Sequence, residues 1–272
     1  MPSFKITLAY DGTDFVGWQR QASGTSIQGL LEDILRELDH RDLAVTGAGR
    51  TDAGVHALGQ VASLTLDRTI SEIALVRLLN ARLPGDVRAL SAEAVSPTFH
   101  ARFDSRAKKY RYRIWNQDVI SPFERRYAWH VTGGLDAAEM AMGARLLEGR
   151  HDFAAFQAAG SEVHTTERQV LSSRVVTEAP GLVLYEITGR GFLRHMVRNI
   201  VGTLVEIGRG RHSADWMGGV LAGRNRADAG PTAPARGLFL VGVDYGDERQ
   251  ELEAKACRTA LTACTITSSN EK

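Results

Sequence analysis

The sequence repeats one plan of strands and helices in its two halves, and this repetition limits the folds that the chain can adopt. Near the N-terminus, apolar side chains alternate with other residues from Phe4 to Tyr10, which is the period of a half-buried strand. Apolar residues at spacings of three and four, from Ile27 to Leu38, predict one face of a helix. Further strands are predicted over residues 43–48, 60–66 and 87–95, and a short helix over 71–80.

The second half shows the same mixture of elements. Strands are predicted over residues 109–116, 169–177, 182–189 and 238–245, and helices over 193–208, over 213–222 and from Asp136 to Leu147. Neighbouring strands follow one another like hairpins, which indicates an α+β fold with a largely antiparallel sheet. We expect two domains, 1–104 and 105–246, followed by a polar tail at 247–272 that is expected to be disordered.

Length and composition place the chain among ordinary globular proteins. It has 272 residues and a net charge of +1. No apolar run approaches the roughly 18 to 20 residues that span a bilayer. The N-terminus enters a strand pattern directly and lacks the features of a signal peptide. These features predict a cytoplasmic protein.

The distribution of basic residues is uneven although the net charge is small. Residues 100–130 contain eight Arg or Lys against three Asp or Glu, and residues 190–211 contain five Arg against one Glu. Arginine suits phosphate groups and stacked bases better than lysine does. The two stretches therefore favour a nucleic-acid partner, with a general preference for Arg in the source genome as the alternative.

A glycine-rich segment, Gly47–His56, has the most unusual composition in the chain. It is not a dinucleotide fingerprint, because Asp52 stands where the third Gly would be. It is not a phosphate-binding P-loop either, because Val55 stands in place of the Lys. The segment predicts a tight turn that presents Arg50, Asp52 and His56. The alternative is an Asx turn in which the Asp52 side chain bonds backbone amides.

Two further side chains could serve either chemistry or packing. Arg198 falls at the edge of the apolar face of the helix predicted over 193–208, where it can reach a cleft or merely extend along the core surface. Tyr110 opens a strand among basic residues, where its ring can stack on a base. The alternative is that Tyr110 packs in the core beside Tyr112 and Ile114.

Other kinds of catalytic centre find no support in the sequence. The eight histidines show no metal-ligand spacing. No Ser or Cys stands in a nucleophile elbow with a suitable His partner. Any chemistry is therefore expected from carboxylate, phenol and guanidinium groups, without a metal ion.

Three stretches together resemble the tRNA pseudouridine synthase A family. The first comprises Tyr10-Asp11-Gly12-Thr13 and Gly17-Trp18-Gln19-Arg20-Gln21. The second is Gly49-Arg50-Thr51-Asp52-Ala53-Gly54-Val55-His56-Ala57. The third is His195-Met196-Val197-Arg198-Asn199-Ile200-Val201-Gly202. The resemblance spans residues 4–245, and it departs from the family pattern at 153–168.

The resemblance implies two ferredoxin-like halves that share a central, largely antiparallel sheet, with the active site in the cleft between them. It implies a homodimer that isomerises uridine to pseudouridine in the anticodon stem-loop of tRNA, at positions 38 to 40. Asp52 aligns with the catalytic carboxylate and Arg198 with its partner, while Tyr110 aligns with the residue that contacts the target base. Arg50 aligns with an Arg near the flipped nucleotide.

The chemistry of this isomerisation agrees with those residue types. The reaction breaks one glycosidic bond and forms another, without redox change or loss of atoms, so no cofactor is expected. A carboxylate can act as nucleophile or as base toward the ribose, and the sequence leaves both roles open. Two other functions remain as alternatives: a non-catalytic RNA-binding protein, and a small-molecule isomerase or lyase that uses Asp52 as its base.

Overall fold

One ten-stranded sheet runs through the part of the chain that the structure, a computed structural model, describes. That part is residues 1–160 and 163–246, so the tail at 247–272 lies outside it. The strands are β1 (Ser3–Tyr10), β2 (Thr46–Gly47), β3 (His56–Thr65), β4 (Val87–Val95), β5 (Ala107–Trp115), β6 (Trp129–His130), β7 (Gly149–Asp152), β8 (Glu167–Ala179), β9 (Leu182–Gly189) and β10 (Leu238–Asp244). The helices in the same range are α1 (Ile27–Asp39), α2 (Glu72–Arg82), α3 (Ala137–Arg145), α4 (Met196–Gly208) and α5 (Asp215–Gly223).

The strand order is β4-β1-β3-β10-β5-β9-β8-β7, with β2 beside β3 and β6 beside β5. Adjacent strands are antiparallel except in the β3–β10 and β5–β6 pairs. This arrangement confirms the predicted α+β fold with a largely antiparallel sheet. The last strand, β10, returns to the middle of the sheet, where Phe239 pairs with His56 and Leu240 with Ala57. We call this junction of β3 and β10 the seam.

Helix α4 lies in the core of the second half. Every residue of α4 except Arg198 is buried. The loop that precedes β10 packs directly on this helix, because a Cβ atom at Gly202 would lie 1.6 Å from the carbonyl oxygen of Pro231. Glycine at this position therefore permits the close approach of the loop to α4.

The structure corrects several predicted boundaries. The capping side chain of α1 is Ser26, whose hydroxyl accepts from the Gly29 amide. Helix α4 begins at Met196 and not at 193, because His195 adopts a left-handed backbone with φ of 61°. The strand predicted over 43–48 shortens to β2, and β7 was not predicted. None of the helices within residues 1–160 and 163–246 has the length and apolar character to cross a membrane.

Candidate active site

The loop that carries Asp52 leads into β3 at the seam. Its turn is closed by the main chain, since the Val55 amide donates to the Asp52 carbonyl at 3.1 Å. Gly54 adopts φ of 75° inside this turn, a conformation that favours glycine. The Asx alternative is therefore not needed to form the turn, and the Asp52 carboxylate contacts side chains near the start of α4 instead.

The segment after β1 packs against this loop along its backbone. The Trp18 amide donates to the Thr51 carbonyl at 3.0 Å. Gly17 has φ of 107°, and a Cβ atom there would lie 2.6 Å from the same carbonyl oxygen. The first two sequence motifs therefore meet in space, and the small size of Gly17 sets how closely they approach.

Buried side chains form hydrogen bonds to the loop that carries Asp52. The hydroxyls of Tyr10 and Thr51 lie 2.9 Å apart within hydrogen-bond distance. Gln60 donates its side-chain amide to the Gly49 carbonyl at 2.8 Å. Because Gln60 is fully buried, these contacts fix the backbone on either side of Arg50.

Arg198 joins Asp52 to the second half of the molecule. Its Nη1 lies 3.2 Å from the Asp52 Oδ2, and its Nε donates to the Ala233 carbonyl at 2.8 Å. The Arg198 side chain is 16% exposed and that of Asp52 is 28% exposed, so the pair is open to solvent only in part. Two donors of one planar group thus fix the direction from which the guanidinium meets the carboxylate.

His195 is a neighbour of Asp52 that the sequence reasoning missed as a site residue. Its Nε2 lies 3.5 Å from the Asp52 Oδ2. Burial, together with nearby arginines such as Arg198, lowers the pKa of His195, although Asp52 acts in the opposite direction. Its left-handed backbone is uncommon for a residue with a side chain. This strain could not be read from the sequence, although His195 stands in the third motif.

Tyr110 is both a core residue and a neighbour of the Asp52 loop. It is buried, and its ring meets Phe192 edge-on at 5.0 Å. A Cβ atom at Gly49 would lie 3.7 Å from its hydroxyl. Burial, and after it the nearby Tyr10 and Asp52, raises the pKa of this hydroxyl. Among the described residues no group hydrogen-bonds the Tyr110 hydroxyl, which leaves its proton available for a ligand.

Arg50 and His56, the other two residues of the glycine-rich segment, differ in their surroundings. Arg50 is exposed and has no hydrogen bond or ion pair within residues 1–160 and 163–246. His56 is 1% exposed, so the prediction that the turn presents it is wrong. Its Nδ1 accepts from the Gly12 amide, while its Nε2 lies 3.2 Å and 3.1 Å from the carbonyls of Arg126 and Arg236. His56 therefore braces the seam.

The two basic stretches are partly neutralised by acidic partners. Glu186 pairs with Lys109, Arg111 and Arg174. Glu206 pairs with Arg209 and Arg211. Within the described part of the chain, no group of three or more His, Cys, Asp or Glu side chains is placed to hold a metal ion. The functional groups of the candidate site are the Asp52 carboxylate, the guanidinium groups of Arg50 and Arg198, the His195 imidazole and the Tyr110 phenol.

The comparison with known proteins points to one family. A family model described as tRNA pseudouridine synthase matches residues 6–104 and 144–246. A relative from Moorella thermoacetica, tRNA pseudouridine synthase A, is 48% identical over 247 residues, which cover 90% of this chain and 100% of the relative. The protein of the same name from Solidesulfovibrio magneticus is 46% identical over 252 residues, with 90% and 92% covered.

Similarity to solved structures is weaker. A chain of a Cbf5-Nop10-Gar1 complex is 12% identical, with a TM-score of 0.35, and the match covers 74% of this chain and 45% of that one. A TM-score this low does not assign a fold.

Proposed function

Because the chain belongs to the tRNA pseudouridine synthase family, we propose that Asp52 is the catalytic carboxylate with which it isomerises uridine in the anticodon stem-loop. The chain is an isomerase that converts uridine to pseudouridine in tRNA. The proposal adds the place of the target, positions 38 to 40 of the tRNA, and the residues that act on it. The observation that carries it is the contact of the Asp52 carboxylate with Arg198 beside the Tyr110 hydroxyl.

Asp52 would act on the ribose of the target nucleotide. The bond between C1′ and N1 of the uracil breaks, the detached ring turns, and a bond between C1′ and C5 forms. The proton on C5 is lost and N1 gains one, so atoms and charge balance without a co-reactant. An ionised carboxylate is required whether Asp52 attacks the ribose or removes a proton from it. The Arg198 guanidinium, whose Nη1 lies 3.2 Å from Oδ2, orients that carboxylate in a partly buried cleft.

Tyr110 and Arg50 would handle the base and the surrounding RNA. The Tyr110 ring is held by Phe192, and its raised pKa keeps its hydroxyl protonated well beyond neutral pH. It can therefore donate to the uracil while the ring turns. The exposed Arg50 can fill the gap left by the extruded base, whose removal from its helix costs a few kcal/mol.

The proposal also covers the domain arrangement of the whole chain. The strand orders β4-β1-β3 and β10-β5-β9-β8 support two ferredoxin-like halves, because in each order the first strand of the half lies between the last strand and the one before it in sequence. The long connection between β4 and β5 supports domains at 1–104 and 105–246. A homodimer, which the resemblance to the family implies, and a cytoplasmic location are also part of the proposal.

The experiment is the substitution Asp52→Asn, assayed on unmodified tRNA by chromatography of the digested nucleosides. Asparagine keeps the shape of the side chain and removes its charge, so we expect folding and tRNA binding without measurable pseudouridine. Asp118→Asn is the matched control, because Asp118 is an exposed loop residue that forms no hydrogen bond or ion pair with the site residues. Turnover of Asp52→Asn near that of the unsubstituted chain would remove Asp52 from the mechanism. Pseudouridine only at other tRNA positions would refute the assignment of the anticodon stem-loop as the target.

A further inference from the structure

An exposed aromatic ring stands on the connection between β4 and β5, outside the Asp52 site. Phe103 is 73% exposed. Its ring centroid lies 4.2 Å from that of His100, and the guanidinium carbon of Arg102 lies 5.5 Å from it. An isolated apolar side chain on a surface needs no explanation, but a ring that contacts both an imidazole and a guanidinium group is a specific arrangement. We call these three side chains the platform.

The loop below the platform is ordered by its own hydrogen bonds. The His100 Nδ1 accepts from the amides of Arg102 and Phe103 at 3.1 Å and 3.2 Å. The Asp104 carboxylate accepts from the His100 amide, and the Asp104 amide donates to the His100 carbonyl. The exposed ring is thus presented on a fixed backbone rather than on a free loop.

The same loop is anchored to strand β3 and to Tyr245, which follows β10. Ala101 is fully buried, and its amide donates to the Ser63 hydroxyl of β3 at 3.2 Å. Its carbonyl accepts from the Tyr245 hydroxyl at 2.6 Å. Strand β3 also carries the Asp52 loop at its other end, so the platform and the site share one rigid element.

The charge around the platform is positive and continues toward the Asp52 loop. Lys108 donates to the Ser105 hydroxyl at 2.7 Å, and its Cε would lie 3.4 Å from a Cβ atom at Gly49. Within residues 1–160 and 163–246, neither Arg102 nor Lys108 forms an ion pair. Burial, and after it the charge of Arg102, lowers the pKa of Lys108 to about 8. A polyanion would stabilise both cations in their charged form.

We propose that the platform is a second RNA-binding site, on which an unpaired base of the tRNA stacks against Phe103 while its phosphate meets Arg102. Aromatic rings beside uncompensated cations are the combination that binds unstacked nucleotides. Lys108 links Arg102 of the platform to Gly49 of the Asp52 loop, so the proposed nucleotide is a neighbour of the target uridine and not the target itself. This inference rests on tRNA as the substrate, as proposed above.

The test compares Phe103→Leu, Phe103→Ala and Phe103→Trp in the full chain, with unmodified tRNA as the probe. Loss of one stacked base weakens binding by about five- to a hundredfold. We expect Kd to rise by such a factor for Leu and Ala, while Trp stays within about threefold of the unsubstituted chain because it keeps a π face. The slope of log Kd against log salt should not change, because no phosphate contact is removed. Ile73→Ala is the control, since Ile73 is 67% exposed on α2.

The kinetic effect should fall on KM rather than on kcat, because the lost contact does not involve the reacting atoms. Equal tRNA binding by Phe103→Leu and the unsubstituted chain would overturn the proposal. So would a change in sedimentation that accompanies the loss of binding, because the platform would then be a contact between copies of the chain. Neither outcome touches the proposed function, which is tested separately by the Asp52→Asn substitution and by the position of pseudouridine in the tRNA.

Discussion

Replacement of Arg198 by lysine tests whether Arg198 is a catalytic partner of Asp52 or only a packing residue at the rim of the core. Arg198 is the one partly exposed residue of a buried helix, which is also what a structural rim residue would show. Lysine keeps the charge and most of the aliphatic stem. If packing is the whole role, Arg198→Lys should be mild in every assay.

The contacts of Arg198 give the expected size of the effect. Nε binds the Ala233 carbonyl while Nη1 binds Asp52, and a single ammonium cannot occupy both positions. A misplacement of about 1 Å in a catalytic group can cost about a hundredfold in rate. We therefore expect kcat to fall by about ten- to a hundredfold. Loss of the bond to Ala233 should lower the free energy of unfolding by only about 1 kcal/mol.

The assay is single-turnover formation of pseudouridine with enzyme in excess over tRNA, beside a melting curve and a tRNA-binding curve. Arg77→Lys is the matched control, because Arg77 is exposed on α2. We expect the control to match the unsubstituted chain in all three measurements. An unchanged rate for Arg198→Lys would refute the reasoning and leave Asp52 without its partner. A rate loss matched by an equal loss of folded protein would assign Arg198 to the core.

Three further changes test other parts of the site. Tyr110→Phe should lower kcat more than tenfold. The free energy of unfolding should change by less than about 0.5 kcal/mol, since the hydroxyl has no partner among the described residues. An unchanged rate would show that Tyr110 serves only in packing. Gly17→Ala should lower kcat about a hundredfold, because the added methyl group displaces the Thr51 carbonyl. Gly85 has open space around it, so Gly85→Ala should leave kcat unchanged, and equal rates for the two variants would contradict this account. Activity should survive EDTA once the tRNA is folded, and a loss restored only by zinc would show that a metal takes part.

The regular elements were predictable wherever the period of the side chains was long enough to count. The strands at 87–95 and 182–189 have the predicted bounds, because each lies in a run of eight or nine residues with a clear pattern. Strands β6 and β7, with two and four residues, are too short to show a period. The start of α4 was misplaced because the left-handed backbone of His195 has no signature in the sequence.

The sequence singled out Asp52, Arg198 and Tyr110, but it did not single out His195, and it could not give the arrangement of these side chains. Asp52 and Arg198 lie in different motifs and are 146 residues apart, and no local pattern states that they touch. His56 lies in the same motif as Asp52, yet it is buried and braces the backbone. Motifs therefore identify which segments converge, whereas the choice of the side chain that faces the cleft depends on long-range packing.

The geometry of the Asp52–Arg198 pair depends on how the two halves meet. Asp52 belongs to the first half and Arg198 to the second, and β3 and β10 pair at only two positions along the seam. So short a ladder holds the halves weakly by itself, and buried His56 adds contacts to the carbonyls of Arg126 and Arg236. Those contacts require a proton on Nε2, while the Gly12 amide requires a free Nδ1, which together describe the neutral ring, although Nδ1 also lies 3.1 Å from the Asp11 carboxylate. Burial, the largest influence on its pKa, lowers that pKa and favours this neutral form. The position of the guanidinium against the carboxylate is therefore set by the seam as well as by the loop of Asp52 and by helix α4.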